Sequence, residues 1–199
     1  MIRTCLVTFL ASSVLMAADK TWDIDVRGHV GASSPMTDVD GESVDGKMSL
    51  GWGIDAAFHR PLGEGKQLGL VLLGGVFRDV HRASEGDLDL DYTVLGVNLG
   101  GGLSWQLMEQ WHLEGVAHVR LGSGDLDGTD ANNTSVSGDR GSSTAFGLSV
   151  GAYYTFPFKL LVGGTVGYEV WKGESDVGGT NLDVEGDGLT FGVVAGYAF

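Results

Sequence analysis

Cysteine, proline, positive charge and long apolar runs are all scarce in this sequence, and each scarcity removes a class of protein. The single cysteine among 199 residues is Cys5, inside an apolar stretch near the start, so no disulfide framework holds the chain. Three prolines (Pro35, Pro61, Pro157) beside 34 glycines, with no collagen period, exclude a fibrous or proline-rich chain and speak against a helical bundle. After the first 18 residues no apolar run approaches the roughly 20 that a membrane helix needs, whereas a strand crossing needs only about 10 alternating residues. Twelve Lys and Arg stand against 26 Asp and Glu, a formal net charge of −14, which argues against nucleic acid as a partner. What remains is a β protein, soluble or membrane-embedded.

The first segment reads as a leader. Arg3, an apolar stretch from Cys5 to Met16 and the small residues Ala17 and Ala18 predict a secretory signal peptide over 1–18, cut after Ala17 or Ala18. Cys5 leaves with it and is not placed for lipid attachment. Residues 19–199 are then one domain, exported and free of cysteine.

Alternation at a period of two organises that domain. Trp22, Ile24, Val26, Gly28, Val30 and Ala32 share one strand face, opposite Asp25, Arg27, His29 and Ser33. Met48 to Phe58 repeats the pattern, and Leu68 to Val80 is a strand apolar on both faces, whose orientation the pattern leaves open. Thr93 to Trp105, Trp111 to Leu121, Phe146 to Phe156, Leu160 to Val170 and Leu189 to Phe199 complete eight strands. Short turns at Pro61–Lys66, Gln106–Gln110 and Pro157 alternate with long polar gaps at Pro35–Gly46, His81–Asp89, Gly122–Gly141 and Lys172–Asp187. Pairing across a turn near Met108 sets Glu114 opposite Gly102 and Arg120 opposite Gly96. The fold class expected is all-β, an eight-stranded antiparallel up-and-down transmembrane β-barrel.

Two features choose lipid for the apolar face. The opposite face is dominated by Gly, Ser, Ala and Thr with scattered charges, which suits a crowded lumen better than a solvated surface. Trp22, Phe58, Trp105, Trp111, Tyr154, Phe156, Tyr197 and Phe199 lie beside the short turns or the chain end, where an interfacial girdle belongs. The closing ladder Leu189, Phe191, Val193, Ala195, Tyr197, Phe199, with Tyr197 third from the end and a terminal Phe, resembles the insertion signal of bacterial outer-membrane β-barrels. The whole of 19–199 resembles the small members of that family, the OmpA-type transmembrane domain and OmpX-like proteins. The resemblance implies residence in the bacterial outer membrane, with outer-membrane lipid and the assembly machinery as partners. It does not choose among structural, adhesive, narrow-pore and lipid-modifying roles.

Parity puts Asp25, Arg27, His29, Lys47, Asp55, His59, Glu114, His118, Arg120 and Glu169 inside. Charges in so narrow a space must pair, because an unpaired buried ion is costly, so the expectation is a charge network that plugs the lumen. A narrow pore for small solutes is the alternative. A lipid A-modifying enzyme comes next, and local spacing speaks against it. Asp25, His29 and Ser33 lie four residues apart, about 13 Å along a strand, whereas a Ser–His pair needs about 3 Å. No catalytic residues and no cofactor are expected. The gaps are acidic, and Asp125, Asp127 and Asp130 resemble a fragment of a calcium loop without its closing Glu. Solvated loops are the plainer expectation, weak Ca²⁺ or Mg²⁺ binding the sharper one, and an extracellular ligand stays unidentified.

Overall fold

The computed structural model describes residues 22–63, 67–85, 88–129, 132 and 134–199; the expected signal peptide lies outside them. The strands are β1 (Asp23–Ser33), β2 (Asp38–Val39), β3 (Glu42–Ser43), β4 (Gly46–Lys47), β5 (Ser49–Leu62), β6 (Leu68–Glu85), β7 (Leu88–Gln106), β8 (Trp111–Thr129), β9 (Ser135–Ser137), β10 (Asp139–Thr155), β11 (Leu160–Val177) and β12 (Thr180–Ala198). Eight of them, β1, β5, β6, β7, β8, β10, β11 and β12, pair in that order, and β12 pairs β1 to close the ring. Every ladder is antiparallel, and within the ring each strand pairs with the next ring strand along the chain, the last closing on the first, so the architecture is the expected up-and-down barrel. Closure leaves the ring without a free edge, the condition for crossing lipid with strands.

The outer face of the lower barrel is an apolar belt. Leu50 (69% exposed), Leu148 (68%) and Val193 (72%) would be untenable as part of so large a patch in water, and are at home against acyl chains. On β11 the belt runs outward from Leu160 to Val170; with about 3.3 Å per residue and a tilt near 40° it is about 25 Å tall, the height of an outer-membrane band. Its lower rim carries the aromatics: Trp111 stacks edge-on with Tyr154 at 5.2 Å and Tyr197 with Phe199 at 5.2 Å. β6, whose orientation the sequence left open, turns Leu68, Leu70 and Leu72 outward and Val71, Phe77, Asp79 and His81 inward.

Three expectations need correction. The gaps at His81–Asp89 and Lys172–Asp187 are strand: β6 and β7 pair up to Glu85↔Leu88, and β11 and β12 up to Val177↔Thr180. Gly178 and Gly179 make that last turn at φ 62° and 88°, a left-handed pair that suits a two-residue hairpin. Much of the Gly122–Gly141 gap is strand too, because β8 continues to Thr129 and β10 begins at Asp139. The register across the β7–β8 turn is also two residues off: Glu114 faces Ser104 and Arg120 faces Asn98. The turn holds four residues beyond Gln106, with Leu107 N–H donating to Trp111 O at 2.9 Å. A shift of two preserves parity, so the faces stand.

The third correction is Lys47. β1 and β5 stop at Ser33 and Ser49, far short of their neighbours, leaving a slot in the upper wall between β12 and β6. The segment 34–48 fills it as a strap. Val39 pairs with Val184, Lys47 pairs with Arg82, Thr37 N–H donates to Glu185 O (2.9 Å) and Ser84 N–H donates to Asp45 O (2.9 Å). Lys47 therefore lies exposed on that upper wall, outside the lumen.

Candidate functional site

Going up each wall strand, inside and outside exchange character. In the belt, apolar residues face out and polar ones in. Above it the outward face carries Arg82, Asp91, Asp125, Asp127, Lys172 and Glu185, while Tyr92, Val94, Leu126, Trp171 and Val184 point in and are buried. This inversion marks where lipid gives way to water, and it divides the lumen into two tiers.

The lower tier is a charge network. Arg27 donates through Nη1 to Glu114 Oε2 and through Nη2 to Glu114 Oε1, both at 2.7 Å, and also to Asp25 Oδ2 at 2.7 Å. Its guanidinium lies over the Tyr153 ring at 4.5 Å. His59 Nε2 lies 3.1 Å from Asp25 Oδ2, and His112 Nε2 lies 3.2 Å from Glu114 Oε1. Higher up, Arg120 pairs with Asp79 and, at 3.3 Å, with Glu169, which also faces His118 at 3.4 Å. His29 Nδ1 meets Asp55 Oδ2 at 3.0 Å, and Asn98 donates to the other Asp55 oxygen at 3.2 Å. Strands β1, β5, β6, β7, β8 and β11 each supply members, so the network ties together residues distant in sequence. Bidentate Arg–carboxylate bonds are among the strongest such contacts.

Glycine makes the room. Gly53 sits directly opposite His29, Gly147 opposite His118 and Gly75 opposite Asp55, and a Cβ at any of the three would collide with that partner. The 34 glycines are in part the moulds of the lumen side chains. Between the Arg27 and Arg120 clusters lies a cavity of about 110 Å³. Asn98 Oδ1, Arg27 Nε and Arg120 Nε are buried without a protein partner.

The upper tier is an apolar core. Met36 of the strap packs with Phe77, Tyr92, Val94, Leu126, Trp171 and Val184. His81 stacks on Trp171 at 3.9 Å, and Trp171 on Tyr92 at 5.6 Å. Both His81 and Trp171 hold the strap by its carbonyls: His81 Nδ1 donates to Ser34 O at 2.7 Å and Trp171 Nε1 to Pro35 O at 3.3 Å. Burial pushes the His81 imidazole below its ordinary value and the Tyr92 phenol up to about 12. On the outer wall, exposed Arg82 is held above the usual guanidinium range by its bond to Asp91.

Of the residues singled out from sequence, Asp25, Arg27, His29, Asp55, Glu114, His118, Arg120 and Glu169 lie together in the lower tier, and Lys47 does not. Asp79, His112 and Tyr153 in this tier, and His81 in the upper one, are lumen residues that the sequence pattern did not single out. Ser33 Oγ donates to Val80 O (2.6 Å) and Ser49 O (3.1 Å), away from His29. Asp125 and Asp127 sit on extended β8 rather than in a loop, paired with Arg140 at 3.5 Å and Ser137 at 3.0 Å. Asp130 lies outside the described residues, and Tyr197 and Phe199 project from the lower rim of the belt.

No protein-family model matches the chain, and no curated protein sequence matches it. Among solved structures, a major outer membrane protein from Thermus thermophilus is similar with a TM-score of 0.50 and 14% identity, over 88% of this chain and 99% of that one. OprG from Pseudomonas aeruginosa is similar at 0.47 and 13% identity (89% and 95% covered). Ail, the attachment invasion locus protein of Yersinia pestis, is similar at 0.42 and 15% identity (89% and 97% covered). The chain has the fold of a small bacterial outer-membrane β-barrel, and the exposed apolar belt makes it an integral membrane protein.

Proposed function

We propose that this barrel serves the bacterial envelope as a closed, non-enzymatic element, displaying an acidic, rigid extracellular wall and passing little or no solute. The observation that carries the reading is the Arg27 clamp. One buried guanidinium holds Glu114 with two bonds and Asp25 with a third, across the lumen from β1 to β8. An eight-stranded barrel is barely wide enough for its own side chains, and the stack of Tyr92, Trp171 and His81 fills the lumen again above. The acidic outer wall supports contact with outer-leaflet lipid head groups or an extracellular partner, directly or through Ca²⁺ or Mg²⁺. Tyr197 and Phe199 are the residues for the assembly machinery to read. The refolded protein in planar bilayers at about pH 6 is expected to give no steady channels. Large, steady channels under that condition would instead make it a pore, and hydrolysis or acyl transfer on lipid A by the same preparation would make it an enzyme.

A further inference from the structure

Cations are scarce in this chain, and most of those described have a place. Arg27 and Arg120 are engaged inside the lumen. On the upper outer wall Arg82 is tied to Asp91, Arg140 to Asp125 and Lys172 to Glu185. Arg60 and Lys159 stand at the lower rim, beside the short turns, with Arg60 5.7 Å from the Trp22 ring. Two cations remain, Lys47 and Arg78. Among the described residues neither has an ion-pair or hydrogen-bond partner.

Both belong to one stripe of the outer surface. β6 turns its even-numbered side chains outward, so Arg78 and Arg82 share a face, four residues or about 13 Å apart along the strand. Lys47 on β4 is the direct cross-strand neighbour of Arg82. Asp91, the carboxylate in this stripe, is held by Arg82 through Nε at 2.6 Å and Nη2 at 2.8 Å, which leaves Nη1 as a further donor.

The two free cations differ in height. Lys47 stands with Arg82 on the water-facing wall, whereas Arg78 pairs across its ladders with Trp52 and Leu95, exposed residues of the apolar belt. A guanidinium among acyl chains is costly away from the interface. Its long stem lets the charged end reach up to head-group level, toward Lys47. The strap and the long strands lie at the end remote from the short turns and the C-terminus, which in an outer-membrane barrel is the outer end. The head groups that Arg78 meets there are those of the outer leaflet, and the lipid A of that leaflet carries phosphate.

We infer that Arg78 and Lys47, with Arg82 beside Lys47, clamp a phosphate group of one outer-leaflet lipid A, whose acyl chains lie along Leu50, Trp52 and Leu95. Guanidinium and ammonium donors suit a phosphate, and the charge-assisted bonds are stronger where apolar neighbours exclude water from one side. The stripe is a basic gap in an otherwise acidic wall, so it fixes where a lipid phosphate can be held without a bridging cation. The inference deepens the lipid-contact part of the reading above.

Native mass spectrometry of the full refolded chain in detergent micelles tests it, with bisphosphorylated lipid A and the same lipid stripped of phosphate as probes. One lipid A is expected to stay bound in the presence of EDTA, and the stripped lipid to bind about tenfold more weakly, as loss of a charge-assisted contact implies. Arg78→Gln and Lys47→Gln are each expected to weaken lipid A about tenfold and to leave the stripped lipid unchanged, whereas Arg60→Gln at the lower rim changes neither. Equal retention of the two lipids, or variants that bind as the parent does, overturns the clamp. Retention that EDTA abolishes also overturns it, and leaves bridging by Ca²⁺ or Mg²⁺ as the lipid contact. Displacement of lipid A by millimolar inorganic phosphate identifies a free-anion site and overturns the lipid assignment. Steady channels in the conductance experiment above sink the closed barrel without altering any of these outcomes, so the two readings fail separately. Heat-modifiable gel mobility checks that each variant is folded, and the parent's own preference between the two lipids decides the matter if one is not.

Discussion

The two tiers of this lumen are built on the same strands with the same alternation, yet they are filled by opposite chemistry. Where lipid lies outside, the inward face carries Arg27, Glu114, Asp55, Arg120 and Glu169; where water lies outside, it carries Tyr92, Leu126, Trp171 and Val184. The period of two dictates only that the faces differ. Which face is apolar follows from the solvent beyond the wall. The upper tier obeys the rule of a soluble β-barrel, and the lower tier its inverse. One tier is held by paired charges, the other by packing and by the strap's hydrogen bonds, so they should fail differently.

The sharpest contrast comes from removing one partner in each tier. Arg27→Met strands Glu114 and Asp25 in the lumen and is expected to cost about 3 to 5 kcal/mol, as breaking a buried pair does. Restoring part of that loss by adding Glu114→Gln to Arg27→Met, measured by urea unfolding in micelles, would mark it as electrostatic. Trp171→Ala removes the central ring of the upper stack and is expected to cost about 3 kcal/mol by cavity formation. No charge substitution nearby should rescue it; rescue there, or none in the lower tier, would erase the distinction.

Outward substitutions sharpen the boundary between the tiers. Val119→Arg on the lipid face of β8 is expected to cost about 2 to 4 kcal/mol if it lies near the bilayer midplane, and Thr93→Arg on the outer wall of β7 about 0 to 1. Equal losses in folding yield would show that the belt is taller than the inversion indicates.

The smallest expected effect is a pH response confined to the upper tier. Burial lowers the His81 imidazole, so its contribution is present above the ordinary value of 6.5 and is lost as pH falls through the lowered one. Burial raises Tyr92 from 10 to about 12, so its contribution is complete below pH 10 and lost as pH climbs toward 12. Amide exchange at Met36, Thr37 and Val44 should accelerate at both extremes, since His81 anchors the strap that carries them. A flat profile in the His81→Phe variant on the acid side, with the alkaline side retained, would separate the two causes.

The belt, the girdle and the closing strand were legible in the sequence because each is a long run of alternation in a single phase, from Leu160 to Val170 or Leu189 to Phe199. The upper tier was not, because there the phase reverses. In β7 the odd-numbered apolar set Leu95, Val97, Leu99 gives way, through adjacent Val94 and Leu95, to the even-numbered set Leu90, Tyr92, Val94. Interleaved with Asp89 and Asp91, that second set reads as a polar gap when a single phase is assumed. The same reversal sits between Val170 and Trp171 on β11, and between Leu121 and Leu126 on β8. Tracking a change of phase rather than a loss of pattern finds the upper strands, and with them His81; Asp79 lies within Leu68–Val80, where apolar residues on both faces leave the orientation open. Lys47 was misplaced for a different reason. Parity carried back from β5 assumed one continuous strand, whereas Met48 separates β4, which pairs with β6, from β5.

Site-directed labelling along the outer face of β7 tests the inversion most directly, and the absence of any cysteine after Cys5 makes single-cysteine variants clean. Fluorophores placed at Leu99, Leu95 and Asp91 in turn would be quenched either by nitroxide lipids or by aqueous iodide. Lipid quenching is expected at Leu99 and Leu95, with iodide quenching at Asp91 only four residues above. Lipid quenching at Asp91 as strong as at Leu99 would place the upper tier within the bilayer and contradict the two-tier account.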